Sequence, residues 1–126
     1  MRLPLILDEN SRGRDLWGAI QAHNRREPDL TLDIVRVGGP GAPILGTLDR
    51  QLLEWAISEN RIIVTLDVNT LVRYHSEMVQ AGLMTPGLFV IRRGFGVSQI
   101  VDEMVIYSYC LTAAECSCNV WYLPGP

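Results

Sequence analysis

Four short apolar runs, residues 3–7, 33–37, 62–66 and 88–91, are separated by stretches whose apolar side chains recur at helical spacing. That alternation constrains the fold more than any other feature. Strands separated by helices run parallel rather than pairing as hairpins, and their crossover helices cover both faces of the sheet. The expected architecture is α/β: a three-layer α/β/α sandwich with a mostly parallel sheet of four to five strands, the fifth coming from "NVWYL" at residues 119–123. Helices are expected over about residues 12–24 (Leu16, Ala19, Ile20 and His23 on one face), 47–60 (Leu48, Leu52, Leu53, Ala56 and Ile57), 70–81 (Leu71, Tyr74, His75, Met78 and Val79) and 98–115. Asn10 or Ser11, Thr47 and Ser98 are the expected caps. Residues 24–31 read as a loop, and "GGPGAPILG" at 38–46 suits no regular element, which marks a mobile or functional loop.

A chain of 126 residues is expected to form a single domain, 1–126, and 48% hydrophobic with 20% charged residues excludes wholesale disorder. No apolar stretch reaches the ~18 residues of a membrane span, and the N-terminus becomes charged too soon for a signal peptide, so a cytoplasmic protein is expected. Cys110, Cys116 and Cys118 are odd in number and crowded together, which suits a reducing compartment; their spacing is not that of a zinc knuckle, and neither His23 nor His75 has a neighbour that completes a site. A net charge of −3 argues against avid, nonspecific attachment to nucleic acid. All 11 basic residues are arginine, so no mechanism that needs a lysine ammonium is available within the chain. This counts against receiver domains and haloacid-dehalogenase-like phosphatases, both of which pair strand-end aspartates with a lysine.

The first strand runs straight into Asp8, Glu9 and Asn10, and the third ends at Asp67. In parallel sheets ligands bind outside the carboxyl ends of the strands, so both aspartates are expected at the functional edge. Two carboxylates meeting there repel by roughly 4 kcal/mol at 4 Å and an effective dielectric of about 20. Protonation, an arginine or a cation relieves that repulsion, and hard oxygen ligands of this kind suit Mg²⁺ or Mn²⁺. Each acid also has a structural reading. Asp8 is either a helix cap or a ligand, Glu9 reads as a solvated first-turn acid, and Asp49 stabilises its helix dipole by ~0.3–1 kcal/mol. Asp67 is harder to explain structurally, because only Asn69 is close enough in sequence to help cap the helix that follows.

"LDEN" at the first strand, "LDRQLLEWAISENRIIVTLDVNTL" in mid-chain and "PGLFVIRRG" at the fourth strand together resemble the PIN-like domains of the Mut7-C type, over about residues 3–94. The resemblance implies a PIN fold and an Mg²⁺- or Mn²⁺-dependent ribonuclease, the toxin of a bacterial toxin–antitoxin pair. Carried over residue by residue, Asp8, Asp49 and Asp67 match the catalytic, metal-ligating acids, and Asn10 supports them together with Glu9 and Asn69. Asn69 stands where the family usually has a second aspartate, and an amide supplies neither charge nor base. Arg12, Arg14, Arg92 and Arg93 are candidates to hold RNA phosphates. The implied partners are an RNA substrate, a small antitoxin and a second copy in a homodimer. The alternative is a catalytically weak PIN-like protein that binds a partner; Trp17 and Trp55 are then core residues, while Trp121 lies on a terminal edge able to join another chain.

Overall fold

A computed structural model describes residues 2–8 and 15–125. Five strands, β1 (Pro4–Leu7), β2 (Asp33–Arg36), β3 (Ile62–Thr65), β4 (Leu88–Ile91) and β5 (Val120–Leu123), form one sheet in the order β2-β1-β3-β4-β5. Every pairing is parallel. The helices are α1 (Leu16–Arg26), α2 (Asp49–Glu59), α3 (Thr70–Gln80), α4 (Val97–Cys110) and the single turn α5 (Ala113–Cys116), with a 3-10 turn at Pro28–Leu30. Among the described residues, no helix is long and apolar enough to cross a membrane.

The central strands are apolar at every position but Thr65 because both faces are covered, and β3 and β4 are buried throughout. One face of the sheet packs Leu5, Leu7, Val64 and Phe89 against Leu16 and Ile20 of α1 and Ile100 and Met104 of α4. The other packs Ile6, Ile63 and Leu88 against Leu52, Leu53 and Ala56 of α2 and Leu71 of α3. Burying each of these large side chains stabilises the fold by about 1.5–3 kcal/mol before the ordering entropy is counted. The fold is thus the three-layer sandwich read from the sequence.

α4 lies on the same face as α1, yet β4 to β5 steps outward in the direction opposite to β1 to β2. The last crossover therefore has the opposite hand to the three before it, against the strong preference for one hand in such units. β4 begins where the backbone of α5 passes close by. A Cβ on Gly87, at φ +108°, would sit 2.2 Å from the carbonyl oxygen of Cys116, so only glycine fits.

Three helix boundaries differ from the sequence reading. The expected helix over 98–115 starts earlier, with Gly96 rather than Ser98 as cap, and stops at Cys110. Thr112 then opens α5 with a capping box: its hydroxyl accepts from the Glu115 N–H while the Glu115 carboxylate accepts from the Thr112 N–H. Thr47 does not cap α2. Its hydroxyl donates to the Ile44 carbonyl, and Leu48 occupies the cap position. The expected Asn10 or Ser11 cap lies outside the described residues; α1 is entered through Asp15 in a left-handed conformation.

Candidate functional site at the carboxyl edge of the sheet

In the order β2-β1-β3, the chain leaves β1 toward one side and later returns to its other side, and the crevice at such a reversal is where open parallel sheets bind ligands. Asp8 and Asp67 flank it. Asp8 continues β1, its N–H donating to the Val64 carbonyl at 2.9 Å, and the residue is only 5% exposed.

The two aspartates are linked through Thr65, the fully buried last residue of β3. The Thr65 hydroxyl donates to Asp8 Oδ2 at 2.9 Å and accepts from the Asp67 N–H at 2.9 Å. Asp8 Oδ2 and the Asp67 backbone therefore lie within two hydrogen-bond lengths of each other. Asp67 Oδ1 in turn accepts from the N–H groups of Asn69 (2.9 Å) and Thr70 (3.0 Å), so Asp67, rather than Asn69, closes the start of α3. Its Oδ2 takes part in no hydrogen bond among the described residues. One oxygen of Asp67 thus has a structural duty and the other is open.

Thr65 was not among the sequence candidates. The available signal was a lone hydroxyl in an otherwise apolar buried strand, "IIVT", because a buried hydroxyl needs a partner.

Asp49 is half-buried in the first turn of α2 and lines a cleft of about 430 Å³ with Thr47, Leu48, Arg50, Thr70 and Tyr74. Thr70 joins this cleft to Asp67, whose carboxylate accepts its N–H. Asp49 thus opens on the same edge as the Asp8–Asp67 pair. Even so, among the described residues no three His, Cys, Asp or Glu side chains stand close enough to share an ion. Asn69 is exposed and its side chain makes no cap. Arg92 follows β4, but its guanidinium lies over the Tyr122 ring of β5, 5.1 Å from the centroid, on the far side of β4 from β3. Arg93 is exposed and forms no ion pair among the described residues. Glu9, Asn10, Arg12 and Arg14 lie outside the described residues. Arg36, which the sequence reading did not single out, ends β2 on this edge with its guanidinium 4.9 Å from the Trp17 ring centroid.

Both histidines are held in structural bonds. His23 Nε2 lies 2.8 Å from the Leu30 carbonyl, and buried His75 Nε2 lies 2.6 Å from the Thr85 hydroxyl. Burial holds the His75 imidazole below its usual pKa. The three cysteines are free thiols, and burial, aided by neighbouring Glu115, pushes Cys116 up to about 11. At the opposite, amino-terminal edge a hollow of about 360 Å³ lies among Leu3, Pro4, Ile57, Met84 and Pro86, with no ionisable side chain in its lining. Comparison with protein families, with curated proteins and with solved structures gave no match to this chain.

Proposed function

We propose that this chain is a divalent-metal-dependent ribonuclease, an endonuclease that hydrolyses RNA phosphodiester bonds at the Asp8–Asp67 edge. The observation that carries this reading is the Asp8–Thr65–Asp67 chain at the point where the strand order reverses. There a buried carboxylate stands next to a second one whose Oδ2 makes no hydrogen bond among the described residues.

The donor set suits a hard cation, since Mg²⁺ is commonly held by one or two carboxylates, with water and substrate phosphate completing its shell. Asp8 and Asp67 would hold Mg²⁺ or Mn²⁺, with Asp49 reaching the same edge from α2. When bound, such an ion would polarise phosphate and lower the pKa of water, supplying hydroxide as the nucleophile. The chain's own part is positional. Thr65 fixes one oxygen of Asp8, the start of α3 fixes one oxygen of Asp67, and Arg93, Arg12 and Arg14 are the candidates to orient phosphate. This reading extends to a toxin with a small antitoxin partner and to a homodimer. Exposed Ile44, Leu45, Leu48 and Val68, on the loops after β2 and β3, support a protein partner on this edge.

The test is Asp67→Asn. An amide oxygen still accepts from the α3 N–H groups, so the melting curve without added metal is expected to stay within a few degrees of the parent while Mg²⁺- or Mn²⁺-dependent RNA cleavage disappears. Undiminished cleavage by that variant refutes the assignment. The same exposed apolar side chains favour a second reading, a catalytically weak PIN-like binding module. Tight complex formation with an antitoxin-type protein, with no RNA cleavage by the parent chain under either metal, selects it.

A further inference from the structure

The Asp49 cleft is also lined by Arg50 and Tyr74, which the proposed chemistry does not use. There the Tyr74 ring holds two guanidiniums, Arg50 at 4.8 Å and Arg73 at 5.1 Å from its centroid. Two like charges gathered on one ring repel each other unless an anion joins them, and stacking on the ring holds both in place in advance. Among the described residues Arg50 forms one long 3.8 Å ion pair, with Glu77, exposed on both sides, which water and salt screen heavily, and Glu54 is the other acid beside it. Arg73 is exposed and forms no ion pair among the described residues. Both are therefore available to a stronger anion, and guanidiniums suit phosphate oxygens.

The position matters as much as the charge. Thr70, whose N–H is bonded to Asp67, and Tyr74 line the same cleft and stand four residues apart on α3, a rise of about 6 Å. Asp49 and Arg50 both line the cleft, and Arg73 stands next to it, over the ring of the lining residue Tyr74. Its ~430 Å³ is the size of a small-ligand pocket.

We propose that this cleft seats the nucleotide next to the cleaved phosphodiester of a single-stranded RNA, with Arg50 and Arg73, held by Tyr74, gripping its flanking phosphate. The proposal rests on the ribonuclease reading for its substrate. It adds a preference for single strands longer than a dinucleotide, because a dinucleotide has no flanking phosphate for the arginines to hold.

The experiment compares the parent chain with the double variant Arg50→Ala/Arg73→Ala and with Tyr74→Ala and Tyr74→Phe. Cleavage of a fluorescent single-stranded RNA is measured against cleavage of a dinucleotide in Mn²⁺. The ratio of kcat/KM for the long RNA to that for the dinucleotide is expected to fall about tenfold in the double variant, through KM rather than kcat. It falls in Tyr74→Ala and is restored in Tyr74→Phe, which keeps the ring. In parallel, metal-free binding of the long RNA is followed by anisotropy across a salt series, in an Asp67→Asn background. The double variant is expected to lower the slope of log K against log salt by about 0.7, the value for one phosphate that the arginines no longer neutralise. An unchanged cleavage ratio in a chain that does cleave RNA overturns the subsite and leaves the ribonuclease reading standing. If the parent cleaves nothing, the ribonuclease reading fails and the binding series decides the subsite: a lowered slope upholds it as an RNA-binding cleft, and an unchanged slope overturns it.

Discussion

Thr65→Val removes one hydroxyl from the centre of the candidate site and almost nothing else, since the two side chains have nearly the same shape. Thr65 is fully buried, and among the described residues its hydroxyl donates to the Asp8 carboxylate and accepts from the Asp67 N–H, each at 2.9 Å. Losing the bond to a carboxylate costs about 1.5–3 kcal/mol, and leaving the part-buried Asp67 N–H short of its acceptor costs about 1 more. Allowing for relaxation, the variant is expected to be destabilised by about 3 kcal/mol, against about 1 kcal/mol for Thr65→Ser, which keeps the hydroxyl and loses one methyl. Urea unfolding followed by circular dichroism measures both. A cycle with Asp8→Ala, which leaves no acceptor, isolates the Thr65–Asp8 part, expected at about 1.5 kcal/mol or more. If Thr65→Val and Thr65→Ser differ by less than about 0.5 kcal/mol, the hydroxyl does not tie the two aspartates together, and the reasoning from Thr65 to a preorganised edge is wrong.

Other perturbations follow from the same structure. Phe89, fully buried in β4 and edge-on to Tyr107 at 5.7 Å, is expected to cost about 3–5 kcal/mol when truncated in Phe89→Ala, and a loss below about 2 kcal/mol in urea unfolding would mean that the core is looser than described. Because burial lowers the His75 pKa from 6.5, the unfolded chain binds a proton that the folded chain refuses. Stability is therefore expected to fall as pH drops below about 6.5 and to level off once the folded value is passed, with His75→Gln flattening that slope. Cys116, buried and with its pKa pushed up to about 11, is expected to resist iodoacetamide at pH 8 until the chain unfolds, whereas exposed Cys110 reacts in the native state; equal rates measured by mass spectrometry would contradict that burial.

The strands were legible because each central one must be apolar on both faces, which leaves an unbroken run such as "IIVT" or "LFVI". The carboxyl edge was legible too, since parallel strands all end on one side and Asp8 and Asp67 end two of them. The break between α4 and α5 was not. Apolar residues continue through Leu111, and only the reciprocal bonds of Thr112 and Glu115 reveal a new start. The role of Asp67 at α3 was hidden for a related reason: the cap position belongs to Asn69, and the bonds come from a residue two places earlier. Strand order and the hand of the last crossover depend on which faces meet, and local spacing carries no trace of that. The Arg50–Tyr74–Arg73 group joins two helices and appears only once α2 and α3 pack together.

The opening strand of the chain lies inside the sheet, bonded to β2 on one flank and β3 on the other. A ribosome thus releases the keystone before either stone that leans on it, and the sheet cannot be laid down from one border to the other. Clipping the chain just after residue 8 would not trim a margin. It would split the sheet in two and separate one carboxylate of the edge from the other.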